Sequence, residues 1–178
     1  MIAMKRILVP TDFSESSETA VRYGVAFAQA FNARLDLLHV VPRQDLEVLL
    51  EGERVVHVLT DSADAQASVE PDALMHEAER QMLATLLTEQ EQKELRTEYV
   101  LRVSGPGGVY VEIVRYAEEQ AIDLIVIGSH GPGSVAHMLM GGVAEKVVRK
   151  APCPLLMVRH PEHEFVLPHE TARGPHRA

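Results

Sequence analysis

Leu124-Ile125-Val126-Ile127-Gly128-Ser129-His130-Gly131 is followed by a second glycine pair, Gly141-Gly142, and then by a helical run. The four apolar residues read as a strand buried on both faces. Glycines at its end let the backbone turn sharply and come close to a ligand. The second pair opens a helix, whose first N–H groups are free and carry the positive end of the dipole. A strand, a glycine turn and a helix start in this order suit a bound phosphate.

Working outward, strands alternate with helices. Ile7-Leu8-Val9 is a short apolar strand ended by Pro10-Thr11-Asp12, and Ser14 caps the following helix, with Glu15 and Glu18 in its first turn. Ala20, Val21, Gly24, Val25, Ala28 and Phe31 recur at helical spacing up to Asn32. Leu35 to Val41 is the second strand. Pro71 opens a long helix with Leu74, Ala78, Met82 and Leu86 on one face. Thr97 to Val103 alternates as a half-exposed edge strand would, and Ser104-Gly105-Pro106-Gly107-Gly108 is a turn. Val109, Ile113, Val114 and Ala117 mark a helix, Asp123 to Ile127 the fourth strand, and Val143, Val147 and Val148 a last helix. Pro152 and Pro154 stop it before the fifth strand, Leu155 to Val158.

This alternation predicts an α/β fold with a five-stranded parallel sheet, order 3-2-1-4-5, and helices on both faces. Residues 1–160 form one domain, 43–69 a long variable connection, and 161–178 a disordered tail rich in His, Pro and charge. In that strand order the first and fourth strands are neighbours where the chain reverses direction. Ligands of open α/β sheets bind outside the carboxyl ends of the strands at such a point. Pro10-Thr11-Asp12 and Gly128-Ser129-His130-Gly131 therefore meet at one crevice.

The 178 residues carry a formal net charge of −9, and 46% of them are hydrophobic. An acidic chain disfavours general nucleic-acid binding and docking to anionic membranes. No apolar run is long enough to span a bilayer, and the first residues lack the order of a signal peptide. The single cysteine, Cys153, cannot form an intrachain disulfide, so a cytoplasmic location is expected. Cys153 reads as a buried, inert thiol, His39 as a half-buried hydrogen-bonded residue, and His130 as a solvated loop side chain.

The spacing Gly-x-x-Gly-x9-Gly over Gly128, Gly131 and Gly141, Pro10-Thr11-Asp12 after the first strand, Leu38-His39-Val40-Val41 in the second, and Ala151-Pro152-Cys153-Pro154 before the last resemble the universal stress protein family, over residues 4 to 159. The resemblance implies an open α/β fold of the adenine-nucleotide α-hydrolase type and membership of the branch that binds ATP or another adenine nucleotide. It implies contacts from Pro10, Thr11 and Asp12, with Asp12 beside a Mg ion carried by the nucleotide. Val40 and Val41 lie near adenine, and Val41 offers it backbone groups. Gly128 passes close to the ribose, and Ile127, Ser129 and His130 are also among the contacts. Gly131, Gly141, Gly142 and Val143 present N–H groups to the phosphates. The family pattern has Ser or Thr where this chain has Gly142, which removes one hydroxyl donor. The resemblance further implies a homodimer through the fifth strand and a role as a stress-response sensor or regulator. The alternatives are a slow ATP hydrolase, for which the sequence offers no general base, and a module for a regulatory protein partner with a vestigial pocket.

Overall fold

The computed structural model describes residues 3–42, 83–129 and 142–159. Five strands form one parallel sheet in the order β3-β2-β1-β4-β5: β1 Arg6–Thr11, β2 Arg34–Val41, β3 Thr97–Val103, β4 Leu124–Gly128 and β5 Leu155–Val158. This is the expected strand order. The helices are α1 Glu15–Phe31, α2 Glu89–Glu94, α3 Val109–Glu119 and α4 Gly142–Lys150.

Period-two alternation divides the core between the two faces of the sheet. Ile7, Val9, Leu35, Leu37, Leu124 and Val126 face α1, together with Leu83, Leu86 and Leu87. Leu8, Leu38, Val40, Ile125 and Ile127 face α3 and α4, where Ile113, Tyr116, Ala144 and Val147 meet them. Helix α1 begins at Ser14, whose side chain accepts from Ser17 N–H, and ends at Asn32 in the left-handed conformation (φ 50°), as its sequence foretold. Helix α1 lies close over the sheet because Gly24 has no Cβ; one placed there would sit 2.4 Å from Val9 Cγ2.

Two expectations change. Pro10 and Thr11 belong to β1 rather than ending it. Helix α2 was not anticipated, although Thr88 and Glu91 form a full capping box at its start. The long helix from Pro71 lies mostly outside the described residues, as do the 43–69 connection and the tail.

Candidate functional site

The main-chain alternation of β1 decides where the sheet opens. Arg34 N–H donates to Lys5 O (2.8 Å) and Asp123 N–H to Arg6 O (2.9 Å). Even-numbered β1 residues therefore turn their polar groups toward β4, and odd-numbered ones toward β2. Beyond Leu8 the next donor to β4 would be residue 10, and residue 10 is proline, which has no N–H. The β1–β4 register accordingly ends at Leu8↔Ile125, while β1–β2 runs on to Thr11↔His39. At its own carboxyl end β4 leans the other way: Ser129 N–H donates to Val158 O of β5 (2.8 Å). A crevice between the two central strands follows from one missing donor.

The first turn of α1 floors that crevice on one face. A Cβ on Gly128 would lie 2.7 Å from Ser16 Oγ and 2.8 Å from Ser16 O. Gly128 is thus required by helix packing, whatever its use toward a ligand. Ser17 Oγ donates to Ser14 O (2.8 Å), so the hydroxyl of Thr11, 3.1 Å away, is the donor between Thr11 and Ser17. Thr11 Oγ1 in turn accepts from Phe13 N–H (3.1 Å). Asp12 is exposed at the lip, and its Oδ1 accepts from Ser14 N–H (3.1 Å) and Ser14 Oγ (2.5 Å). Its Oδ2 has no hydrogen-bond partner among the described residues. A Mg ion there would take its remaining oxygens from phosphates and water, since no group of three His, Cys, Asp or Glu side chains converges among the described residues.

The structure thus brings Pro10, Thr11 and Asp12 to the same edge as Ile127, Gly128 and Ser129. Val41 O accepts from Ser104 N–H (2.8 Å), so the polar groups of Val41 face β3. Those of Val40 face β1. Gly142 and Val143 open α4, both exposed, and a Cβ on Gly142 would meet nothing within 4 Å. Among the described residues, space exists there for the missing hydroxyl. His130, Gly131 and Gly141 lie outside the described residues.

His39, half-buried as expected, sets its Nδ1 2.8 Å from Thr11 O, and its ring centroid lies 4.8 Å from that of Phe13. Phe13 has φ 60°, a left-handed conformation unusual for a bulky residue. The sequence held no signal for this clamp beyond the His itself. Cys153 is half-buried; burial and then the charge of Asp123 push its thiol up, against a backbone hydrogen bond at Ile125. It is a poor nucleophile at neutral pH.

Comparison with known proteins agrees with this architecture. The model of the universal stress protein family matches residues 4–159. Universal stress protein MJ0577 of Methanocaldococcus jannaschii is 30% identical over 164 residues, covering 89% of this chain and 96% of that protein. Its solved structure superimposes with a TM-score of 0.67 at 28% identity, covering 90% and 99% of the two chains. Universal stress protein G of Escherichia coli O157:H7 is 33% identical over 157 residues, or 87% of this chain and 99% of that one. A universal stress protein of Archaeoglobus fulgidus, solved in complex with dAMP, shares the fold with a TM-score of 0.54 at 22% identity, over 89% and 98% of the two chains. With the strand order and the Pro10–Asp12 lip in place, and the family model matched over that span, the chain belongs to the universal stress protein family.

Proposed function

We propose that this chain binds an adenine nucleotide, ATP, in the β1–β4 crevice and acts as a stress-response sensor or regulator. The observation that carries the reading is the β1–β4 ladder ended by Pro10, with Asp12 on one lip and Gly128–Ser129 on the other. The same architecture accommodates dAMP in the Archaeoglobus fulgidus protein. In this reading Val40, rather than Val41, gives adenine its main-chain edge. Asp12 Oδ2 takes a ribose hydroxyl or the Mg ion, and the N–H groups from Gly131, Gly141, Gly142 and Val143 take the phosphates. The reading places the protein in the cytoplasm, where ATP is available.

Isothermal titration with ATP and Mg²⁺, with GTP as the control for base selection, tests it. Saturable heat with ATP alone is expected. No heat and no thermal shift with any adenine nucleotide overturns it. A multiple-turnover phosphate-release assay separates a regulator from a slow hydrolase: a rate that falls in Asp12→Ala means turnover in this crevice.

The reading includes a homodimer through β5. Pro154 O and Val158 O accept from β4 N–H groups, which leaves the main-chain groups of Leu155 and Met157 facing away from β4. The strand is only partly covered at Leu155, Leu156 and Met157. An apolar edge of this kind is a template for pairing with another strand.

A further inference from the structure

We propose that His39 is a positioning residue for the crevice: from the neighbouring strand it clamps both residues that flank Asp12, and so fixes where that carboxylate stands. The inference rests on the nucleotide reading above for its consequence, and on local geometry for its mechanism.

The carbonyl of Thr11 can only accept, so the His39 Nδ1 that lies 2.8 Å from it carries the proton. This bond ties the last residue of β1 to β2 by a side chain, in addition to the parallel register that ends at the same pair, Thr11↔His39. The other face of the clamp is the ring. Phe13 packs against the α1-side core and against His39, tilted 50°. Its φ of 60° is costly for a bulky residue and persists only when its surroundings hold it. Thr11 and Phe13 are therefore both held by the same imidazole. Asp12 lies between them with no hydrogen bond to β2 among the described residues, where its Oδ1 is held by Ser14. A carboxylate offered to a ligand gains affinity when it is fixed beforehand. The imidazole does this without spending either carboxylate oxygen.

Two substitutions separate the parts of the clamp. His39→Phe keeps a ring and removes the donor. His39→Asn removes the ring and keeps an N–H at the Nδ1 position. Two measurements are made on the full chain: backbone NMR order parameters of Asp12 and Phe13 without ligand, and ATP·Mg affinity by titration. Expected for His39→Phe are lower order at both residues and affinity weaker by about fivefold, the worth of one ordinary hydrogen bond. Expected for His39→Asn is recovery of order at Asp12 and affinity within about twofold of wild type. In an Asp12→Asn background, adding His39→Phe should cost less than about twofold, because the group it positions is gone. The same fivefold loss in both backgrounds assigns His39 a general structural role and overturns the proposal. Unchanged order at Asp12 and Phe13 in His39→Phe overturns it too. Wild-type protein that binds no adenine nucleotide sinks the functional reading instead, and the order parameters then decide the clamp by themselves.

Discussion

Two glycines that a sequence motif treats alike do different work at the residue scale. Gly128 is a packing residue: its missing Cβ is occupied by the Ser16 backbone and hydroxyl at 2.7–2.9 Å, and backbone cannot swing aside. Gly128→Ala should force the first turn of α1 away from β4 and lower stability by about 1–3 kcal/mol, the usual cost of overpacking. Urea unfolding followed by circular dichroism reads this, and a midpoint equal to that of wild type shows that the helix yields freely. Gly142 is the opposite case: no described residue stands where a side chain would start. A Ser there adds a hydroxyl donor next to the helix N–H groups, and a hydrogen bond to a charged group is worth about 1.5–3 kcal/mol. Gly142→Ser should therefore tighten ATP binding by about tenfold or more, with little change in AMP binding, in parallel titrations. Equal gains for ATP and AMP would locate the hydroxyl away from the outer phosphates.

The elements explain both what the sequence disclosed and what it withheld. Continuous apolar runs such as Leu124–Ile127 and Ile7–Val9 mark strands buried on both faces, and the structure has them there. From the sequence, Pro10 reads as a strand end because proline lacks a donor. Its true effect depends on which neighbour that donor would have met, and only the β2-β1-β4 order decides that. Asp36 shows the same limit. A lone acid inside an apolar strand is a visible oddity, but its partners are scattered: Arg6 at 3.1 Å, Arg34 at 2.7 Å and Tyr116 OH at 2.9 Å. The capping box of α2 is legible in Thr88 and Glu91, but no apolar stripe follows it to mark a helix. The β5 edge yields a test at this scale. Met157 turns its N–H away from β4, so Met157→Pro removes no bond to β4, and proline is tolerated on edge strands. The variant should remain folded and elute as a monomer in light-scattering chromatography, while Met157→Ala remains dimeric. A Met157→Pro dimer would move the interface off β5.

Across the whole molecule, the two ends of the sheet are built in opposite senses. The amino end is tied shut. Asp123 Oδ2 accepts from Lys5 N–H (2.7 Å) and Arg6 N–H (3.0 Å), Arg6 also bonds Gln120 (2.9 Å), and Asp36, fully buried, gathers two arginines and a phenol. At the carboxyl end the β1–β4 register stops at Leu8↔Ile125, where a ligand would enter. A rigid base lets the open lips hold their spacing, and it leaves a titratable signature. Burial pushes the Tyr116 phenol up, Asp36 adds to the rise, and Arg34 and Arg6 offset only part of it. In the unfolded chain a tyrosine ionises near pH 10, at about its ordinary value. Above that pH the unfolded chain loses this proton while the folded one keeps it. The contribution is thus complete below about pH 10 and is lost as pH rises, at about 1.4 kcal/mol per pH unit. Cys153 is raised as well, so the measurement belongs in a Cys153→Ala background. Urea unfolding between pH 9 and 11 should show a falling limb above pH 10 that Tyr116→Phe flattens. At neutral pH the same substitution should cost about 1.5–3 kcal/mol through the lost bond to Asp36. Equal alkaline slopes with and without the Tyr116 hydroxyl would mean that the amino end opens to water, and the contrast between a closed base and an open rim would no longer hold.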